Sequence, residues 1–105
     1  MTKLTDLAPC MVDWEPNEHG FQNFSFLCPN CRKVREVIAI WSLPNKLVTW
    51  QDRDGNACQQ RVWSATQGPY KDWDSLSVTP SINTGPHERH GCPGWHGFIT
   101  NGVLS

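Results

Sequence analysis

Residues 24 to 41 read Phe24-Ser-Phe-Leu-Cys-Pro-Asn-Cys-Arg-Lys-Val-Arg-Glu-Val-Ile-Ala-Ile-Trp41. At the start of this stretch Phe24, Phe26 and Cys28 occupy every second position. A period of two residues is typical of a β-strand with one buried face. The strand leads directly into Cys28-Pro-Asn-Cys31, where two residues separate two thiols. The stretch therefore predicts a strand that ends in a cysteine turn.

The segment that follows the cysteine turn fits two kinds of structure. Its apolar residues recur at helical spacing, at Val34, Val37, Ile38 and Trp41. The run from Val37 to Trp41 is also short and rich in β-branched residues, as a buried strand would be. We favour the strand, because two cysteines in a tight turn usually lie between strands. Pro44 ends the segment on either interpretation.

The remaining sequence predicts further strands and hairpins. Residues 47–51 and 58–63 are predicted strands, joined by a hairpin turn at Asp54-Gly55. Residues 77–82 are predicted to be extended, and Asn101-Gly102 to form the turn of a closing hairpin. Loops are predicted over 64–76 and 83–97.

These elements predict a mainly β fold, with a small β-rich α+β fold as the alternative. We expect a compact, zinc-ribbon-like single domain over residues 21–105, with hairpins around one structural metal site. Residues 1–20 are expected to form an irregular N-terminal segment, because their Pro, Asp, Glu and Asn residues follow no clear period.

Composition excludes several function classes. The 105 residues include 9 basic and 10 acidic side chains, giving a formal net charge of −1, so a general polyanion binder is not expected. No stretch approaches the ~20 apolar residues of a membrane-spanning helix, and no membrane association is predicted. The N-terminus also has no apolar core of signal-peptide length, so we expect a cytoplasmic protein.

Cysteine and histidine spacing predicts a metal site. Cys28 and Cys31 form one zinc half-site, because two intervening residues let both thiolates reach one ion. Cys92-Pro-Gly-Trp-His96 has the spacing of a second half-site. Together these residues predict a closed structural Zn²⁺ site formed by Cys28, Cys31, Cys92 and His96. His90 is the alternative to His96 as the fourth ligand. Cys10 and Cys58 have no partner at ligand spacing and are expected to be buried thiols.

The second half of the chain resembles a known family. The relevant motifs are the stretch from Trp73 to Ile82, the segment from Cys92 to His96, and Phe98-Ile-Thr-Asn-Gly102. With the upstream cysteine pair, they are similar to the domain of unknown function 6527 family, over residues 24–104. The resemblance implies a compact zinc-binding β domain, often encoded by phages or prophages. The ligands that it implies are Cys28, Cys31, Cys92 and His96. If the protein is phage-encoded, its compartment would be the host cytoplasm. The family brings no established activity.

The sequence favours binding over catalysis. A zinc-stabilised module would contact an unidentified protein partner, with candidate contact residues Arg32, Lys33, Arg35 and the loop 87–90. Nucleic acid is an alternative partner that the balanced charge disfavours.

Two enzymatic alternatives remain open at this point. Cys28-Pro-Asn-Cys31 after a strand is also the opening of a glutaredoxin-like thiol oxidoreductase. A zinc-dependent hydrolase or deaminase would need an open metal position and a carboxylate base, and Glu88 is the only acid close to the second half-site.

Overall fold

The computed structural model describes residues 2–65 and 72–105, and its regular structure is mainly β. These ranges contain the strands β1 (Thr2–Lys3), β2 (Cys10–Met11), β3 (Gln22–Leu27), β4 (Arg35–Trp41), β5 (Lys46–Gln51), β6 (Ala57–Ala65), β7 (Val78–Asn83), β8 (His96–Thr100) and β9 (Val103–Leu104). Short 3₁₀ helices lie at Leu4–Leu7, Trp73–Ser75 and Glu88–His90. The mainly β prediction is confirmed. Part of the loop predicted over 64–76 lies outside the described residues.

The strands form a curled sheet in the order β1-β9-β8-β7-β6-β4-β3-β2, and β5 pairs with β6. Neighbouring strands are antiparallel except β4 and β6, which are parallel with Ile40 opposite Trp63. The predicted turn at Asp54-Gly55 connects β5 to β6, and the predicted turn at Asn101-Gly102 connects β8 to β9. Both hairpin predictions are confirmed.

The ambiguous segment after the cysteine turn is the strand β4. Its pairing with β3 places Phe24 opposite Ile38 and Phe26 opposite Glu36. Val37 is 56% exposed whereas Ile38 is 5% exposed, so these neighbours point to opposite faces of the sheet. A helix would have put Val37 and Ile38 on the same buried stripe. Cross-strand pairing with β3 therefore prevails over the helical spacing of the apolar residues.

The larger of two clusters of buried apolar side chains forms the main hydrophobic core. Phe24 and Phe26 stack with ring centroids 5.8 Å apart, and Trp73 packs against Phe24. Leu4, Leu7 and Met11 also belong to this core. The segment expected to be irregular thus supplies β1, β2 and three core side chains, and its two strands lie at opposite ends of the strand order.

The two cysteines expected to be buried are more accessible than predicted. Cys10 is exposed, with its Sγ 3.2 Å from Ser25 Oγ and 3.6 Å from the Arg35 guanidinium. Cys58 is half-buried on the β5–β6 hairpin. The expectation is wrong for Cys10, because β2 lies at the end of the sheet. Among residues 2–65 and 72–105, no helix is long and apolar enough to cross a membrane.

Candidate metal centre

The first half of the site is the turn between β3 and β4. Cys28 follows β3, and its N–H donates to the carbonyl of Val34 at 2.9 Å. The N–H of Arg32 donates back to the carbonyl of Cys28 at 2.8 Å, and Arg32 adopts a left-handed conformation with φ of 55°. These bonds close a tight turn in which Cys31 returns toward Cys28.

The second half is the loop between β7 and β8. The N–H of His87 donates to the carbonyl of Cys92 at 2.8 Å, and the N–H of Cys92 donates to the carbonyl of His87 at 3.1 Å. The 3₁₀ helix Glu88–His90 lies between them, and Gly91 ends it in a left-handed conformation. This reciprocal pairing places the side chains of His87 and Cys92 next to one another.

The two loops meet in a cluster of four side chains, Cys28, Cys31, His87 and Cys92. One ligand atom from each lies within 4.8 Å of the others. Cys28 Sγ is 3.8 Å from Cys92 Sγ, and Cys31 Sγ is 3.6 Å from His87 Nδ1. The group can hold a metal ion, since it offers three sulfur donors and one imidazole nitrogen at mutual distances suited to one ion.

The structure brings together three of the four residues predicted as metal ligands. Cys28, Cys31 and Cys92 lie in the cluster, but His96 does not. His96 is the first residue of β8, is exposed, and has its Nε2 3.3 Å from Ser81 Oγ. Its pairing opposite Asn83 in the β7–β8 ladder keeps it away from the cysteines. His90 is also exposed and outside the cluster, so His87 takes the fourth position.

A signal for His87 was present in the spacing. Four residues separate His87 from Cys92, which is as suitable for a half-site as the three residues between Cys92 and His96. Spacing alone could not choose between them. Which histidine joins the cluster depends on where β8 begins. A histidine that is paired within the strand cannot also reach the cysteines in the loop.

Glu36 is a further residue of the site that the sequence did not indicate. Its carboxylate Oε1 is hydrogen-bonded to His87 Nε2, and the two side chains are only 14% and 9% exposed. With Nε2 bonded to the carboxylate, Nδ1 is the nitrogen that faces Cys31. A carboxylate bonded to the outer nitrogen of a histidine is a frequent companion of metal-ligating imidazoles, because it sets the ring orientation and tautomer.

The thiols of the cluster differ in their electrostatic surroundings. The backbone N–H of Lys33 lowers the pKa of Cys31 to about 6, assisted by Val34 N–H, His87 and Cys92 and opposed by burial. Burial raises the pKa of Cys92, and neighbouring Cys28 and Cys31 raise it further against the Gly94 N–H. Burial opposes the charged form of His87, but hydrogen bonds with Cys31 and Glu36, together with their charges, raise its pKa. Of Cys31 and Cys92, Cys31 is thus the thiol that more readily presents a thiolate.

Side-chain hydrogen bonds and an aromatic contact fix the position of the second loop. The Asn30 side-chain amide donates to the carbonyl of Gly94, and the Gly94 N–H donates to Cys92 Sγ at 3.3 Å. Trp95 packs edge-on against Phe26 of the core, and its N–H donates to Thr84 Oγ1 at 2.8 Å. The cysteine loop is therefore anchored both to the first half-site and to the core.

Comparison of this chain with protein-family models, with curated proteins and with solved structures gave no match. The resemblance to the domain of unknown function 6527 family stays a prediction.

Substitution of Gly94 tests how tightly the loop is held. A Cβ at this position would lie 1.8 Å from the Gly85 carbonyl oxygen, and φ is +79°. We expect Gly94→Ala to displace the loop and to destabilise the protein by more than the ~1–2 kcal/mol of left-handed strain alone. Urea denaturation of both proteins measures the change in free energy of unfolding.

Gly91→Ala is the matched control for this experiment. Gly91 is also left-handed, with φ of +61°, but a Cβ there would meet nothing within 4 Å. The loss of stability in Gly91→Ala should therefore be limited to the strain of a left-handed backbone. Equal losses of stability in the two variants would contradict the close approach of Gly94 to Gly85.

Proposed function

We propose that this protein is a small zinc-stabilised binding module, an accessory protein of the phage or prophage type that acts by macromolecular contact rather than catalysis. The observation that carries the proposal is the cluster of three thiols and one imidazole within 4.8 Å. Sulfur and imidazole donors suit Zn²⁺ and disfavour Ca²⁺ and Mg²⁺, which prefer oxygen. Four protein ligands fill a tetrahedral zinc site, as is typical of structural sites.

The buried contact between Glu36 and His87 supports the same conclusion. A carboxylate held against the outer nitrogen of His87 orients the imidazole and makes it a more basic ligand. A domain of this size buries only about two-thirds of its unfolded surface, so a metal crosslink adds needed stability. The zinc ion would tie the β3–β4 turn to the β7–β8 loop.

The thiol oxidoreductase alternative has less support. The attacking thiol of such an enzyme would be Cys28, the first cysteine of the pair, and Cys28 is fully buried. The residues after the pair form the strand β4 rather than a helix.

The hydrolase alternative also has less support. A catalytic zinc keeps one position open, whereas this cluster supplies four ligands. The carboxylate in contact with the cluster, Glu36, is bonded to His87, and Glu88 is exposed on the 3₁₀ helix.

The surface that best supports a protein partner is the outer edge of β5. Within the described ranges β5 pairs only with β6, so its other edge has backbone groups that an added strand can bond. Leu47 within β5 is 43% exposed, and Leu43, just before the strand, is 57% exposed. Exposed apolar side chains on a strand with one unpaired edge favour recognition of an extended protein segment.

The residues near the cysteines that the sequence predicted as partner contacts are not all free to bind a partner. Arg32 and Lys33 are exposed, but the Arg35 guanidinium donates to the carbonyl of Ala8 and to Ser25 Oγ, both at 2.9 Å. His87 belongs to the metal cluster. This leaves a small basic patch, so we favour a protein over nucleic acid as the partner.

Metal analysis tests the zinc site. We expect one Zn²⁺ per chain by native mass spectrometry, and loss of the native melting transition in excess chelator, because metal binding at such a site contributes folding free energy. His87→Ala should weaken zinc binding by more than ~100-fold, since it removes a ligand. His96→Ala should leave affinity unchanged. A metal-free protein with an unaltered melting curve, or equal losses in the two variants, would refute the assignment.

Glu36 variants test the support of His87. We expect Glu36→Ala to weaken zinc binding by ~10–100-fold, and Glu36→Gln by less, because the amide oxygen still accepts the imidazole N–H. The exposed acid Glu88 supplies the control variant Glu88→Ala, which should bind zinc normally. Competition with a chelator of known affinity measures each constant. Wild-type affinity in Glu36→Ala would show that the carboxylate does not assist the site.

Variants of the β5 edge test the binding function. Leu47→Lys places a charge beside the edge and should abolish capture of a partner from lysate by the zinc-loaded protein. Thr100→Lys adds the same charge at an exposed position of β8 and should leave capture intact. Quantitative mass spectrometry compares the captured proteins. The proposal requires at least one protein that wild type and Thr100→Lys both capture and that Leu47→Lys does not. If there is no such protein, the proposal is refuted.

A further inference from the structure

We propose that Cys31 is an oxidative modification site, at which peroxides attack the metal cluster and release its ion; this inference rests on the proposed zinc site. The three cysteine residues differ in accessibility. Cys28 is fully buried and Cys92 is 6% exposed, whereas Cys31 is partly exposed. An oxidant that arrives from solvent therefore meets Cys31 before either of the other ligands.

A surface cavity leads to the Cys31 side of the cluster. Its volume is about 260 Å³, and it is lined by Asn30, Cys31, Lys33, His90, Gly91, Cys92 and Pro93. Hydrogen peroxide is only slightly larger than water, which occupies about 30 Å³ in the liquid, so the cavity admits it easily. Cys28 does not line the cavity. Cys92 does line it but is only 6% exposed, so the cavity excludes Cys28 and the difference in exposure favours Cys31 over Cys92.

The chemistry requires only hydrogen peroxide as the oxidant. The Cys31 thiolate attacks one peroxide oxygen, the O–O bond breaks, and a sulfenic acid forms while hydroxide leaves. A neighbouring thiolate then attacks the Cys31 sulfur, forming a disulfide and expelling a second hydroxide. The two sulfurs lose two electrons in total and the peroxide gains them. The ion loses two thiolate ligands and is released.

The resolving thiolate comes from within the cluster. The ligand atoms of Cys28 and Cys92 both lie within 4.8 Å of the Cys31 sulfur, so no long movement is needed. The product is a disulfide that contains Cys31.

The disulfide expected from the distances between the sulfur atoms differs from the one expected from their accessibility to peroxide. Cys28 Sγ and Cys92 Sγ are already 3.8 Å apart, so a reaction governed by distance would join these two and leave Cys31 free. A reaction governed by access begins at Cys31. The identity of the oxidised residues therefore separates the two pathways.

The decisive experiment is peptide mapping after mild oxidation. A Cys10→Ser, Cys58→Ser protein removes the two accessible thiols outside the cluster and keeps all four cluster residues. This protein, loaded with zinc, is treated with less than one equivalent of hydrogen peroxide, and free thiols are then alkylated. We expect sulfenic acid or disulfide at Cys31. A Cys28–Cys92 disulfide with Cys31 free, or no oxidation of the cluster in excess peroxide, would overturn the proposal.

Cys31→His provides a second measurement on the same background. The imidazole keeps a zinc ligand at the accessible corner but removes its sulfur. We expect peroxide to release zinc at least ~10-fold more slowly than from the Cys31 protein, as read by a zinc-sensitive dye, because the remaining thiols are shielded. Equal release rates would contradict the assignment. If Cys31→His does not retain zinc, the mapping result decides.

Failure of the zinc site and failure of this inference are distinguishable. Metal analysis before oxidant is added reports on the zinc site alone. A protein that binds zinc but is oxidised first at another cysteine refutes only the modification site.

Discussion

The crowding of three cysteine sulfurs at one point is the constraint on which the rest of the structure depends. Their ligand atoms and that of His87 lie within 4.8 Å of one another. Three thiolates at this separation repel strongly unless a cation neutralises them, so the arrangement makes electrostatic sense around a metal ion. Because 60 residues separate the second cysteine of the pair from the third, the whole sheet must be built to bring the two loops together.

The curled sheet supplies that juxtaposition. The cysteine turn belongs to the β3–β4 hairpin and the loop carrying His87 and Cys92 belongs to the β7–β8 pair, with β6 between β4 and β7. Flat strands in this order would hold the two loops apart. The shared core, with Phe26 beneath Trp95, closes the curl on the side of the cluster. A metal ion in the cluster would therefore add to the stability that the core supplies, as suits a domain with limited buried surface.

Within the cluster, some residues are shielded by the fold and one is accessible to reagents. Cys28 and Cys92 are shielded by the fold, and His87 is held by Glu36. Among the three cysteines, Cys31 alone is both partly exposed and part of the lining of the surface cavity. The proposed zinc site would be closed to substrates because its four ligands are complete, yet it would offer Cys31 to small oxidants. The strand β5, whose outer edge is the proposed partner contact, supplies none of the four cluster residues.

The sequence by itself determined the mainly β class, two hairpin turns and the three cysteines of the cluster, because period-two alternation, Asp-Gly and Asn-Gly turns and short thiol spacing are local signals. Tertiary structure decided the rest. Pairing with β3 made residues 35–41 a strand despite their helical spacing. The position of β8 excluded His96 and left His87 as the fourth member. Glu36 has no local signal, because its role exists only when β4 lies against a loop 51 residues further along the chain.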